Sequence, residues 1–157
     1  MMSISNTSSQ TLLSTPQLTL SVIVPKRNGG AKLRKSLSAL TQTIPPPVEL
    51  IVVADGDIDG SWCIAEEFGA KVVEIPQPQG PARARNWGAR TAQGDILFFI
   101  DADVVISLDA LRQVETAFRN DPLLTALFGS YDDEPGEDLT PRCIAELLTF
   151  RDFLDNF

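Results

Sequence analysis

A run of five apolar residues, from Ile96 to Ile100, ends on two carboxylates, Asp101 and Asp103. A short apolar run rich in β-branched and aromatic residues is typical of a strand buried on both faces, as in a parallel sheet covered by helices. Side chains alternate along an extended segment, so both aspartates are expected to project in the same direction from the end of this strand. The fold must therefore bury a whole strand and expose its carboxyl end.

The aspartate pair predicts a site for a metal ion and a phosphate group. Two neighbouring anions repel each other, and holding them together costs stability unless a cation or a donor-rich ligand lies between them. Hard oxygen ligands suit Mg²⁺ or Mn²⁺, and open α/β sheets bind ligands at the carboxyl ends of their strands. Asp101 and Asp103 are therefore candidate metal ligands. The alternative is that both are solvated loop acids, with Asp103 capping a turn.

The rest of the chain alternates between strand-like and helix-like segments. Strands are predicted at residues 18–24, 48–53, 72–75, 95–101 and 124–131. Helices are predicted around a stripe of Leu33, Leu37 and Leu40, at 62–68, at 81–92, after Ser107 as N-cap with Leu108 on the buried stripe, and from Thr140 onwards. Strands separated by helices of this length need crossover connections. We therefore predict an α/β fold, a mainly parallel sheet with helices on both faces.

Charge and residue usage exclude several classes of function. The chain has 157 residues and a formal net charge of -8 without a dense basic block, which argues against a nucleic-acid partner. The absence of histidine excludes histidine-based catalytic triads and zinc sites of the usual composition. Cys63 and Cys143 are expected to be reduced and packed, which predicts a cytoplasmic location. Residues 1–17 are expected to be a disordered leader, and residues 18–157 one domain.

One basic segment, residues 80–90, interrupts this acidic chain. On a helix, Arg83 and Arg90 share a face while Arg85 points elsewhere. A helix N-terminus and guanidinium groups both attract phosphate, so this segment and the aspartate pair could hold opposite sides of a metal diphosphate. The alternative is that the arginines keep the helix soluble and pair with surface acids.

Four blocks in register resemble the family 2 glycosyltransferases with the GT-A fold: residues 21–25, 48–56, 84–88 and 99–103. The resemblance covers about residues 18–131. It implies a domain that binds a nucleotide-diphosphate sugar, with UDP or GDP as the nucleotide and Mg²⁺ or Mn²⁺ as cofactor. It also implies an enzyme that transfers the sugar, with inversion, to an acceptor such as a lipid-linked molecule or a polysaccharide.

The resemblance also assigns roles to residues by their position in these blocks. Pro25 and Asn28 would line the nucleotide pocket, and Asp55 would contact the base. A second group would lie at the diphosphate, lie at the ribose and metal, and serve as the metal ligand, respectively: Arg83 or Arg85, Asp101 and Asp103.

The chain departs from the family pattern beside these positions. Ala54 replaces a common acidic residue, and Asp57 replaces a small hydroxyl residue, which is expected to add negative charge where phosphates would pass. Lys26 and Arg27 stand where many members have hydrophobic or aromatic residues, and they would supply compensating positive charge. The alternative, which we prefer for Lys26, is that they only keep the surface soluble.

A general base for the transfer is not identified by its position. The weak candidates are Asp132 and Asp133, with Glu134, Glu137 and Asp138 in the same acidic loop, and such a loop is usually only solvated. The predicted last helix is apolar around much of its circumference: Ile144, Leu147, Leu148, Phe150, Phe153, Leu154 and Phe157. It would pack against a partner chain or a membrane surface, which would make the protein peripheral to a membrane.

Two other interpretations remain open at this point. The chain could be a non-catalytic nucleotide-sugar-binding module or a truncated fragment that lacks an acceptor half. It could also be a sugar nucleotidyltransferase, although residues 25–30 are a poor version of the glycine-rich phosphate loop and lysine expected there.

Overall fold

Four parallel strands form the centre of the fold in the computed structural model, which describes residues 17–129, 142–143 and 146–148. The described strands are β1 Leu20–Lys26, β2 Glu49–Asp55, β3 Lys71–Ile75, β4 Ile96–Phe99, β5 Val105–Ile106, β6 Ala126–Leu127, β7 Arg142–Cys143 and β8 Glu146–Leu148. The described helices are α1 Gly30–Thr41, α2 Trp62–Glu67, α3 Pro81–Thr91 and α4 Ala110–Asn120.

The main sheet has the strand order β3-β2-β1-β4-β8-β6, and β5 pairs separately with β7. The first four strands are parallel, and β8 runs antiparallel to both β4 and β6. The chain places β2 and β3 on one side of β1 and then returns to place β4 on the other side. In open α/β sheets, ligands bind where the order reverses in this way, here at the carboxyl ends of β1 and β4.

Helices cover both faces of the sheet, as the sequence predicts. On one face, alternate strand residues pack with α1 and α4 around Val22, Val24, Val52, Phe98, Leu33, Leu37, Leu40, Leu111, Val114 and Phe118. On the other face, the intervening residues pack with α3 around Ile23, Ile51, Val53, Phe99, Ala84 and Ala89. The central strands are therefore apolar on both faces, which explains their continuous apolar runs.

The segment before α4 differs from the prediction. Asp109, not Ser107, occupies the N-cap position, and the Ser107 carbonyl instead accepts a hydrogen bond from the Ala110 amide. Leu108 is 57% exposed, so it does not belong to the buried stripe of α4. The unpredicted strand β5 continues the chain past the end of β4, and a turn at residues 108–109 delays the start of the helix.

The predicted last helix is wrong over the described part of that segment. Leu147 and Leu148 lie in β8, paired with Phe98 and Leu97 of β4. A short apolar run is compatible with a helix or a buried strand, and the unpaired backbone at the edge of β4 provides a template for a strand. Residues 146–148 therefore do not form part of an apolar helix that could bind a partner chain or a membrane surface. Residues 140–141, 144–145 and 149–157 lie outside the described residues, as do residues 1–16 of the expected leader.

Candidate functional site at the carboxyl edge of the sheet

The expected site residues lie on segments that meet at the carboxyl edge of the four parallel strands. Pro25 is buried near the end of β1, beside Val53 of β2. Asp55 ends β2, and Asp101 follows β4. Since β4 pairs with β1 in parallel, the segment that follows β4 leaves the sheet next to the end of β1.

Arg85 and Asp101 form an ion pair across this edge. Arg85 Nη2 donates to Asp101 Oδ1 at 2.6 Å, with side-chain exposures of 32% and 52%. The pair joins α3 to the segment after β4, and it brings together two residues that the sequence assigns to one site. A partly exposed pair of this kind is worth only about 0–1 kcal/mol, so an incoming ligand can replace either partner at low cost.

Asp103 has a different cationic neighbour, Lys32 in the first turn of α1. The distance from Lys32 Nζ to Asp103 Oδ2 is 3.4 Å, and both side chains are more than half exposed. Lys32 is not among the residues that the sequence predicts for the site, and its only signal in the sequence is its place at the start of the helix that follows β1. The contact puts a second positive charge beside the aspartate pair.

The prediction that Asp101 and Asp103 lie on an extended strand is wrong. Strand β4 ends at Phe99, and residues 102–103 form a turn. A hydrogen bond from the Val104 amide to the Asp101 carbonyl closes this turn. Alternation along an extended strand therefore does not set the directions of Asp101 and Asp103. Each carboxylate instead has its own basic partner, from α3 and α1 respectively.

These two carboxylates fit a metal that a substrate phosphate also binds. Within the described ranges, no three acidic, histidine or cysteine side chains are grouped so that they could hold a metal ion by themselves. Mg²⁺ is usually bound through one or two carboxylates together with substrate phosphates and water, rather than in an all-protein cage. Exposed Asp101 and Asp103 offer this donor set.

Asp55 holds the loop that leads into α3. Its buried carboxylate accepts hydrogen bonds from the backbone amides of Gln79, at 2.7 Å, and Gly80, at 2.8 Å. Gly56, with φ 63°, lies so close to Pro78 that a Cβ there would be 2.6 Å from the Pro78 nitrogen. These contacts position the start of α3, and hence Arg85. The expected contact of Asp55 with a base stays a prediction.

Lys26 is not a surface residue, and Asp57 does not add free negative charge. Lys26 Nζ lies 2.7 Å from Asp57 Oδ2, with side-chain exposures of 0% and 3%. Lys26 also donates to the Ser61 hydroxyl. The two departures from the family pattern therefore neutralise each other inside the protein. Removing one partner of a buried pair typically costs about 3–5 kcal/mol, because the other charge is left uncompensated.

The loop after β1 is tied to the loop after β2. Asn28 has φ 56°, and its backbone amide donates a hydrogen bond to Asp57 Oδ1 at 2.7 Å. The side-chain oxygen of Asn28 accepts a hydrogen bond from the Ile58 backbone amide. The Gly29 amide donates to Asp59 Oδ2 at 2.9 Å. Hydrogen bonds from the Ser61 hydroxyl and backbone lower the pKa of Asp59 from 3.8 to about 2.

The remaining arginines of the edge are exposed. Arg83 lies on α3, Arg27 follows β1, and neither makes an ion pair with another described residue. Arg90 lies over the Trp87 ring, 5.9 Å from its centroid, so it binds its own helix. Arg27 and Arg83 are the described basic side chains of this edge that remain available to an anionic ligand.

Other expectations have mixed outcomes. Cys63 is a free thiol, but it is exposed rather than packed. The candidate bases Asp132 and Asp133, with Glu134, Glu137 and Asp138, lie outside the described residues. Among the helices that the structure describes, none has the length and apolar character that crossing a membrane requires.

Comparison with known families identifies the family of the chain. A model described as "Glycosyl transferase family 2" matches residues 21–156, which is most of the chain. The chain belongs to glycosyl transferase family 2. The four sequence blocks lie within the matched region, and the resemblance read from them is confirmed at the level of the family.

Curated relatives of this family 2 chain are considerably longer than it is. An uncharacterized glycosyltransferase of Haemophilus influenzae is 35% identical over 113 residues, which cover 68% of this chain and 45% of the relative. The glycosyltransferase AglE of Haloferax volcanii is 36% identical over 91 residues, which cover 54% and 30%. The chain therefore spans less than half the length of either relative.

Solved structures agree with the family 2 fold. A mannosyltransferase from Pyrobaculum calidifontis, solved with GDP-Man and Mn²⁺, matches with a TM-score of 0.67 and 26% identity over 77% of this chain and 37% of its own. Residues 1–349 of TarS from Staphylococcus aureus, solved with UDP-GlcNAc, match with a TM-score of 0.62 and 26% identity over 66% and 32%. The α/β fold with GT-A relatives is thus established for this family 2 chain.

Proposed function

We propose that this chain is the donor-binding part of a glycosyltransferase, which binds a nucleotide-diphosphate sugar together with Mg²⁺ or Mn²⁺. The observation that carries the proposal is the pairing of Asp101 with Arg85 and of Asp103 with Lys32 at the carboxyl edge of the sheet, where the strand order reverses. Carboxylates and basic side chains side by side match a ligand that contains both a cation and a diphosphate. GDP-Man and UDP-GlcNAc in the matched structures support a donor of this class.

In this proposal the two ion pairs exchange partners when the donor binds. Asp103, with Asp101 beside it, would hold the metal, and the metal would neutralise the diphosphate as it leaves. Arg85 and Lys32, released from the carboxylates, would bind phosphate oxygens, joined by Arg83. Both pairs are exposed and individually weak, so the exchange is energetically accessible.

Transfer with inversion requires a base on the acceptor side. The acceptor hydroxyl attacks the anomeric carbon as the diphosphate leaves from the opposite face, and a carboxylate takes the hydroxyl proton. Asp132 and Asp133 are the candidates that the sequence offers. The acceptor, lipid-linked or polysaccharide, and a cytoplasmic site at a membrane surface or a partner chain belong to the same proposal.

One structural feature disfavours a sugar nucleotidyltransferase. Such an enzyme needs free backbone amides in a glycine-rich loop to hold phosphates. Here the amides of Asn28 and Gly29 already donate to the carboxylates of Asp57 and Asp59. A non-catalytic binding module shares the donor site with the proposed enzyme, so measurements of transfer separate these two.

The proposal is tested by titrating the protein with UDP and GDP, with and without Mn²⁺. We expect Mn²⁺-dependent binding of one of them, weakened at least about tenfold in Asp103→Asn, since a charged contact contributes about 1.5–3 kcal/mol. Asp95→Asn is the control, because Asp95 lies before β4, at the opposite end of the strand from Asp103. Binding that ignores both Mn²⁺ and Asp103→Asn would contradict the metal assignment.

Turnover is tested separately with UDP- and GDP-sugars. Release of the nucleoside diphosphate by hydrolysis or transfer supports the enzyme, whereas metal-dependent binding without any release supports a binding module.

A further inference from the structure

The Lys26–Asp57 ion pair lies between the ends of β1 and β2, inside the protein. The ammonium group is fully enclosed, and its contacts are Asp57 Oδ2, at 2.7 Å, and the Ser61 hydroxyl. A buried pair adds little net stability compared with well-packed apolar side chains of the same volume. The ion pair instead restricts geometry, because every group that is hydrogen-bonded to it is held in one position.

The groups bonded to this pair belong to two loops, residues 27–30 and 56–61. The second carboxylate oxygen of Asp57 accepts a hydrogen bond from the Asn28 backbone amide, and the Asn28 side-chain oxygen accepts one from the Ile58 backbone amide. Asp59 adds a third bond between the loops through the Gly29 amide. The loops are therefore held together by reciprocal hydrogen bonds around a buried charge pair.

Both loops follow parallel strands at the edge where the donor is proposed to bind. Asn28 and Gly29 have positive φ values of 56° and 88°, so this turn is held in a conformation that most residues rarely adopt. Ile58 is 88% exposed at the tip of the second loop. A ligand surface that is already ordered loses less conformational freedom on binding than one that must be ordered by the ligand.

We propose that the Lys26–Asp57 pair is a positioning element, which fixes loops 27–30 and 56–61 as one preformed wall of the donor site. The inference rests on the proposed function, because it concerns affinity for the nucleoside diphosphate. Lys26 itself stays inside the protein and contacts no ligand. The diphosphate would instead contact the exposed cations Arg27, Lys32 and Arg83 and the partly exposed Arg85.

The test uses the double variant Lys26→Leu/Asp57→Ala, which removes both charges and so leaves none buried alone. Affinity for UDP and GDP with Mn²⁺ is measured well below the melting temperature, and hydrogen exchange is measured at the Asn28 and Gly29 amides. We expect the double variant to melt near the wild type, to bind the preferred nucleotide about tenfold more weakly, and to exchange both amides faster. Arg34→Leu/Glu67→Ala, which removes an exposed pair between α1 and α2, is the matched control and should keep wild-type affinity.

A milder variant, Ser61→Ala, covers the case in which the double variant does not fold. It loosens Lys26 without removing a charge, and we expect an affinity loss of about threefold in the same direction. Wild-type affinity in both variants, or in Ser61→Ala if it alone folds, would overturn the inference even if stability fell. If the wild type bound neither nucleotide, the proposed function would fail, and unchanged amide exchange in the variants would overturn the coupling of the loops independently.

Discussion

At the scale of single residues, the carboxyl edge contains two kinds of ion pair with opposite consequences. Lys26–Asp57 is buried and would leave an uncompensated charge if broken, so it holds its geometry. Arg85–Asp101 and Lys32–Asp103 are exposed, and pairs of that kind contribute about 0–1 kcal/mol each. The first pair suits a rigid support, and the other two suit groups that change partners when a ligand binds.

Spacing alone would suggest a different site at the same loop. Asp55, Asp57 and Asp59 alternate and are followed by Gly60, as in a calcium-binding loop. In the structure, their carboxylates accept from the Gln79 and Gly80 amides, from Lys26 and the Asn28 amide, and from Ser61 and the Gly29 amide, respectively. All three carboxylates already accept hydrogen bonds from the protein, and no group that could hold a metal ion forms among the described residues, so the spacing does not form a calcium site.

Asp59 makes folding depend on pH. Its pKa is lowered from 3.8 to about 2 in the folded protein, chiefly because the Ser61 hydroxyl donates to it. A lowered folded-state pKa contributes stability that is complete above 3.8 and is lost as the pH falls towards 2. We expect the free energy of unfolding, measured with urea, to fall less steeply over this range in Asp59→Asn than in the wild type. Equal slopes in the two proteins would contradict the role of Asp59.

At the scale of elements, helix α3 connects the apolar core to the site. Its Ala84, Gly88 and Ala89 are buried against the sheet, while Arg83 and Arg85 lie towards its N-terminus. A Cβ on Gly88 would overlap Ile23 Cγ2 and lie 3.1 Å from Val53 Cγ2. The lack of a side chain at Gly88 therefore allows α3 to lie directly on β1 and β2, which sets the height of Arg85 above the edge.

Gly88→Ala tests this close approach. We expect it to lower the free energy of unfolding by about 1–3 kcal/mol, because overpacking outweighs the better helix propensity of alanine. Denaturant unfolding of Asn86→Ala, on the exposed face of the same helix, is the control and should remain within about 0.5 kcal/mol of the wild type. A Gly88→Ala protein as stable as the wild type would show that α3 can move away from the sheet without cost.

At the scale of the whole molecule, the fold gathers basic side chains at one edge of an acidic protein. The formal net charge is -8, yet Arg27, Lys32, Arg83 and Arg85 all lie near the carboxyl ends of β1 and β4 or at the helices beside them. A local concentration of positive charge is what an anionic ligand needs in an acidic protein.

Ligand binding at this edge should stabilise the whole molecule. A nucleoside diphosphate at 100 times its dissociation constant, with Mn²⁺, adds about 2.7 kcal/mol to the folded state. For a chain of this size, that corresponds to a rise in melting temperature of about 5–10 °C, measured by differential scanning fluorimetry. The free nucleoside at the same concentration is the control and should give a smaller shift. The absence of any shift with both UDP and GDP would count against the donor site.

The sequence by itself determined the parallel α/β core, because strands buried on both faces must be apolar throughout and the stripe of Leu33, Leu37 and Leu40 has helical spacing. It also determined the family, through blocks whose order does not depend on geometry. The tertiary structure alone decided which charges meet. Lys26 and Asp57 are 31 positions apart, Lys32 and Asp103 are 71 apart, and chain folding brings each pair into contact. It also decided that residues 146–148 form a strand, since only the open edge of β4 distinguishes a strand from a helix for so short an apolar run.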